Sequence, residues 1–315
     1  PTDPCNASVI AGIRSNDEAA ANQLQANCVA DLQSIGYNPF DDSGEYVYTD
    51  PLSAAFPGVT GGNAELQEET ADTITAGFVY NSSWLEGFSV TADYWSIEID
   101  DAISAVSSDD IVNGCYVGES LNENFCSLFT RNTDASSPQF GGLNFLRSTQ
   151  VNFARLETSG VDFSVGYDFE VGAHTFYTKV SGTKVNEIDQ YTNPNDLTEV
   201  NPELGEVNRP EWAGNINLTW KWEELQVGWQ TQYMDEQLLA GVEVEEYERG
   251  DFDDTAMMDE FWQHDINFSY MVKENLKMYG GIKNITDEQP FITNFAYPAS
   301  PRGRFYFVGF DMQFK

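Results

Sequence analysis

From residue 72 onward the chain alternates apolar and polar positions, and its last stretch shows the pattern most plainly. Residues 303–315 read GRFYFVGFDMQFK. Tyr306, Val308, Phe310, Met312 and Phe314 fall on one face at period two, and Phe307, Gly309, Asp311 and Gln313 fall on the other. One such strand suits either a half-buried soluble sheet or a strand with lipid on one side and a filled or watery lumen on the other. Recurrence decides between them. The same period predicts strands at 72–81, 86–100, 149–168, 173–188, 209–221, 225–237, 262–272, 275–285 and 303–314. Connections alternate between short ones, near 81–85, 169–172, 222–224 and 273–274, and long ones at 101–148, 189–208, 238–261 and 286–302. Short turns at one end and long loops at the other is the layout of a membrane-spanning antiparallel barrel. Many of these strands also exceed the usual five or six residues.

Aromatic residues gather near strand ends: Tyr80, Trp84, Trp95, Trp212, Trp220, Trp222, Trp262 and Tyr270. Interfacial girdles use such rings because they are apolar with a polar handle, although cross-strand pairs in a soluble sheet would also place them there. The first 71 residues read differently. Residues 16–34 predict a short helix rich in Ala, Gln and Leu, and 36–62 is turn-rich and irregular. The expected organisation is therefore an extracellular loop region at 1–71 and barrel strands with their loops at 72–315.

Composition narrows the partners. The 315 residues carry 15 Lys plus Arg against 51 Asp plus Glu, a formal net charge of -36. That balance excludes nucleic acid and disfavours broad docking on anionic headgroups. An aromatic content of 14% argues against disorder. Runs of about 18 apolar residues are absent, so a helical span is not predicted, a test to which β-barrels are invisible. The opening PTDPCNAS shows neither a charged nor an apolar signal region. This predicts a removed leader or a start inside a longer protein. Four cysteines lie as two separated pairs, Cys5 with Cys28 and Cys115 with Cys126, in polar sequence without C-x-x-C spacing. Three pairings are formally open; the local one closes the shorter loops and implies an oxidising compartment or the cell surface.

Catalytic signatures are missing. Only His174 and His264 are present, both within strand patterns, and the sequence shows no nucleophile elbow, phosphate loop or H-E-x-x-H. An enzyme is not expected. The acidic run 243–260 offers Glu245, Glu246, Asp251, Asp253 and Asp254 as hard oxygen ligands for Ca²⁺, without a full calcium-loop pattern. No other cofactor is indicated. Loop aromatics Tyr37, Tyr46, Tyr48, Tyr191, Tyr247, Phe252, Phe295 and Tyr297 are candidates for stacking on a ligand, with loop-to-loop packing as the other use of such rings.

Three segments resemble the carboxy-terminal part of TonB-dependent receptors, the plugged outer-membrane transporters of Gram-negative bacteria. GGNAELQEETADTITAGFVYN (61–81) is similar to the family's stretch leading into a barrel strand, and LETSGVDFSVGYDF (156–169) to its Thr-Ser-Gly-hydrophobic-Asp strand. YGGIKNITDEQP (279–290) with YPASPRGRFYFVGFDMQF (297–314) is similar to its closing hairpin. The resemblance implies an all-β fold: about nine carboxy-terminal strands of a plugged barrel of about 22, with long extracellular loops. The plug and its energy-coupling box have no counterpart in this chain, which implies a longer receptor. The implied partners are outer-membrane lipid, the TonB complex acting through the plug, a small extracellular ligand and a surface lipoprotein. The barrel-assembly machinery would read Tyr306, Val308, Phe310, Met312 and Phe314. Disulfide-pinned aromatic loops are similar to those of members that import oligosaccharides; a siderophore or other cofactor is the other ligand class. A passive porin-like channel, or a secreted acidic β-protein binding calcium or glycans, are the alternatives.

Overall fold

The computed structural model describes residues 2–52, 56–193, 196, 198–291, 297–298 and 300–314. The chain divides into two compact units. One comprises Pro1–Ala71, Ile99–Leu156 and Tyr191–Val200; the other comprises Asp72–Glu98, Glu157–Gln190 and Asn201–Lys315.

Nine long strands build the second unit's sheet: β1 (Thr70–Asn81), β2 (Phe88–Ala105), β3 (Gln150–Val171), β4 (His174–Tyr191), β5 (Trp212–Trp222), β6 (Leu225–Met234), β7 (Phe261–Lys273), β8 (Leu276–Lys283) and β9 (Phe305–Met312). Each lies beside its chain neighbour, so the sheet order is the chain order. All nine expected strands are present in sequence. β2, β3 and β4 reach 18, 22 and 18 residues, beyond what alternation alone predicted. Their extra residues lie at the long-loop end of β2 and of β4 and at the short-turn end of β3.

Register sorts the side chains into two faces, because cross-strand partners share a face. One face carries the row Phe176–Trp220–Val227–Phe268–Gly280–Val308, then Thr178–Leu218–Trp229–Ile266–Ile282–Tyr306 one step further along. Between those two rows, on the opposite face, runs Tyr177–Thr219–Gly228–Asn267–Gly281–Phe307, followed by Lys179–Asn217–Gln230–Asp265–Lys283–Phe305. No Asp, Glu, Lys or Arg occupies the two apolar rows.

Aromatic rings mark both ends of the apolar face. Near the short turns, Trp220 and Trp222 stack 6.4 Å apart, and the Trp220 indole N–H donates to His174 Nδ1 at 3.1 Å. Toward the long loops, Tyr233 packs 4.4 Å from Trp262, and Trp229 donates to the Thr231 hydroxyl at 2.9 Å. From Leu225 to Tyr233, β6 covers roughly 27 Å along the strand, or about 20 Å along the normal at a barrel tilt near 40°. An apolar band of about 25 Å is the height such barrels present to lipid.

The other unit has a core of its own. Helices α1 (Ala7–Arg14), α2 (Glu18–Ser34) and α3 (Ser108–Tyr116) pack with short strands Gly58–Thr60, Phe129–Arg131 and Leu143–Ser148. Asp17 caps α2 by accepting from Ala20 N at 3.0 Å, and Leu24, Cys28 and Leu32, spaced by four, turn inward. Both local disulfides form, Cys5–Cys28 and Cys115–Cys126. Ile10, Leu32, Ile111, Phe125, Leu143 and Leu146 share one buried cluster. Residues 1–71 share a compact unit with 99–156 and 191–200. Their apolar side chains are buried only together with those of 99–156, and such a pairing leaves no local period to read.

Candidate functional site

The polar face of the sheet is rich in groups that both donate and accept. At its long-loop end Gln232, Gln263, Asn284, Lys283 and Arg302 border a cleft of about 330 Å³. Asp265, buried beneath it, fixes three of its neighbours. It takes Lys283 Nζ at 2.7 Å, Asn284 N at 2.8 Å and Gln263 Nε2 at 3.2 Å. Asn284 sits at φ 52, where a short polar side chain is tolerated, and its amide bonds both Glu288 N and Glu288 O. The wall is held in place from behind, leaving amides and two cations, Arg302 and the Asp265-paired Lys283, to meet a polar solute.

A second group lies in the connections beside this wall. Arg209 reaches Glu203 at 3.0 Å and Glu206 Oε2 at 2.8 Å. Glu206 is buried, and its other oxygen lacks a hydrogen-bond donor. Burial pushes its carboxyl from 4.5 to about 7, with Glu243 adding to the rise and Arg209 opposing it. Next to it, Gln237 is completely buried and accepts from Asn208 N at 2.8 Å.

The unit of helices and short strands is tied at its centre by Arg131. Its guanidinium meets Asp3 Oδ2 at 2.6 Å and Asp31 Oδ2 at 2.6 Å. It also donates to the Tyr48 hydroxyl at 2.9 Å, the Tyr116 hydroxyl at 2.6 Å and Gly141 O at 2.9 Å. Burial pushes the Tyr48 and Tyr116 phenols up, so both remain neutral hydroxyls.

Most of the candidate ligand-stacking rings are used for packing. Tyr48 is buried and meets Tyr37 edge to face with ring centroids 5.4 Å apart, and is therefore a core residue, not a ring offered to solvent. Tyr46 donates to Cys5 O at 2.7 Å and packs on Phe40. Tyr191 stacks beneath Arg155 at 3.9 Å. Tyr247 packs on a small cluster of Leu238, Val242 and Ala256. Tyr297 rests on Phe291 and donates to Gln237 Oε1 at 3.4 Å. Phe252 is exposed, and Phe295 lies outside the described residues.

The acidic run does not converge. Glu245 and Glu246 ride on a short helix, Val244–Glu248; Asp251 pairs with Arg249 at 2.6 Å, and Asp253 turns back to Thr255 N. Among the described residues, no three His, Cys, Asp or Glu side chains are grouped to hold a metal ion. Tyr306, Val308, Phe310 and Met312 stand on the exposed apolar face of β9, with Phe314 exposed just beyond it. Sequence reasoning missed Gln232, Gln263 and Asp265, although the same alternation that marked the apolar stripe would have placed them opposite it.

A family model described as TonB dependent receptor-like, beta-barrel, matches residues 31–285. Among solved structures, the siderophore receptor PirA from Acinetobacter baumannii is similar over 81% of this chain and 33% of its own, at 15% identity and a TM-score of 0.50. The outer membrane transporter YddB from Escherichia coli is similar over 83% of this chain and 35% of its own, at 12% identity and a TM-score of 0.50. The chain spans about a third of the length of the structures it matches, and the likeness at these identities is one of fold. No curated protein matches it.

Proposed function

Because this chain belongs to the TonB-dependent receptor family of outer-membrane β-barrels, we propose that it forms the carboxy-terminal wall and outer loops of a receptor importing a scarce, polar extracellular solute. The observation that supports this best is the division of the sheet into an uncharged apolar face and an amide-rich polar face. Lipid takes the first and a water-filled lumen the second. A soluble β-protein would place charge on its outward rows.

Within that reading an oligosaccharide is the favoured solute class. Asn215, Asn217, Gln230, Gln232 and Gln263 share the polar face and present paired donors and acceptors, the chemistry a polyhydroxylated ligand needs. Energy would reach the solute through a plug contacted by the TonB complex, supplied outside this chain. Both edges of the sheet, β1 and β9, lack a strand partner among the described residues, and a sheet in lipid requires both edges paired.

Uptake of labelled oligosaccharides and of ferric siderophores by cells expressing the full-length receptor tests this. Uptake of sugar that stops when the proton-motive force is collapsed, and that falls in Gln232→Leu/Gln263→Leu cells, is expected. Energy-dependent uptake of siderophore alone would keep the transporter and overturn the sugar. Steady conductance in planar bilayers, indifferent to energy, would replace both with a passive channel.

A further inference from the structure

The apolar face of β6 to β9 carries a groove of about 500 Å³ whose surface is almost wholly apolar, walled by Val227, Ile266, Phe268, Ile282, Tyr306 and Val308. Gly280 interrupts the row of side chains along its floor. Every neighbour of that residue in its row bears a bulky side chain: Val227, Phe268 and Val308. A Cβ at 280 would stand 2.8 Å from Phe307 O and 3.0 Å from the Phe268 ring, so the Phe268 ring lies close over the glycine and forms one wall of the groove beside it. The next row toward the loops, Ile266–Ile282–Tyr306, forms the upper lip.

We propose that this groove is a discrete site for one acyl chain of a phosphorylated lipid of the outer leaflet, with Arg304 at the level of its phosphate. Bilayer is what covers this face, since the groove lies within an uncharged band bounded by aromatic rings at both ends. The inference depends on the barrel spanning the outer membrane and not on which solute it carries. Arg304 is exposed one residue before β9 begins, and carrying the strand's alternation back from Tyr306 would set it on the same face. Arg304 stands four residues before Val308, about 13 Å along the strand and about 10 Å along the normal at barrel tilt. One leaflet of hydrocarbon is about 15 Å deep, so a chain whose phosphate meets Arg304 reaches the groove within its own leaflet. Ordinary annular lipid exchanges freely along a smooth barrel wall. A chain seated in a walled slot, with its headgroup held, is retained.

The test is native mass spectrometry of the full-length receptor, extracted from outer membranes in mild detergent, with lipid identified after release. One phosphorylated, acylated lipid retained per barrel is expected. Val308→Trp fills the groove and should remove at least nine-tenths of that lipid while leaving the heat-resistant folded form on gels intact. Arg304→Gln leaves the groove open and should lower occupancy about fivefold, the effect of one surface cation on an anionic lipid. A lipid-free wild type, retention equal in Val308→Trp, or a lipid-free dimer joined through this face would each overturn the proposal. Loss in Val308→Trp without loss in Arg304→Gln would overturn the headgroup assignment.

Discussion

Replacing Arg131 by Met should unfasten the helical unit while leaving the barrel sheet folded. Asp3 shows why. Its side chain is fully buried and faces the guanidinium at 2.6 Å. Without Arg131 it keeps Cys5 N at 2.9 Å and the Tyr48 hydroxyl at 2.9 Å, two dipoles in place of a charge. Removing one member of a buried ion pair costs about 3–5 kcal/mol, because the other is left charged in a poorly solvating site. Asp31 contributes less to that cost, since its side chain is 23% exposed and can rehydrate. The double variant Arg131→Met/Asp3→Asn removes the stranded charge, so it should recover roughly half of the loss or more.

The assay must see one unit at a time. All seven tryptophans, at 84, 95, 212, 220, 222, 229 and 262, lie outside the helical unit, so tryptophan emission follows only the sheet. Hydrogen exchange of peptides covering α2 and α3 follows the other. A loss of 3–5 kcal/mol corresponds to exchange faster by roughly two to three and a half orders of magnitude at those amides. Tryptophan emission and its denaturation midpoint should not move. If Arg131→Met changes exchange by less than tenfold, or if the double variant is no better than the single, the cluster does not hold this unit together.

Two further outcomes follow from the register and from the loops. Leu218→Arg puts a charge on the lipid face and should destabilise the full-length barrel in vesicles by about 2–4 kcal/mol, whereas Asn217→Arg, one residue earlier, should cost little; equal urea midpoints would show that the faces are wrongly assigned. Glu206 is raised in the folded loop from 4.5 to about 7. Its contribution is therefore fully present below pH 4.5 and lost as pH rises through about 7. Exchange at 203–209 and 237–243 should accelerate across that window beyond its intrinsic pH dependence. Glu206→Gln should flatten the excess, and an unchanged profile in that variant would assign it elsewhere.

The strands were legible because lipid and lumen impose opposite demands on successive residues. Val308 and Phe307 cannot exchange places without putting a whole row on the wrong side. Composition made α2 visible, since residues 16–34 are rich in Ala, Gln and Leu, which favour helix. It failed for α1, which has only eight residues and is held by packing beside the Cys5–Cys28 bridge. It failed for α3 as well, where Ser107 caps nine residues too few to display a period. Loop aromatics are hard to sort for a related reason. Tyr48 and Phe252 look alike in sequence, and only the fold reveals that one ring is buried beside Arg131 and the other exposed.

Long-range polar chemistry was the least legible part, and the two units show why. Asp3 and Arg131 are separated by 128 residues, and Tyr48 and Arg131 by 83. No local pattern distinguishes a buried aspartate from the many solvated ones in so acidic a chain. Once the fold is known, the buried cluster is constrained by a simple requirement: a buried carboxylate must find a cation or donors, and Arg131 serves two of them at once. The polar wall obeys the same requirement in milder form. Asp265 is surrounded by Lys283, Asn284 and Gln263, while Gln232 and Gln263 keep hydrogen-bonding capacity facing the cleft. Rigidity behind and unspent donors in front distinguish a binding wall from a merely wet one. That contrast is why Gln232 and Gln263, rather than the buried loop tyrosines, are the residues on which uptake should depend.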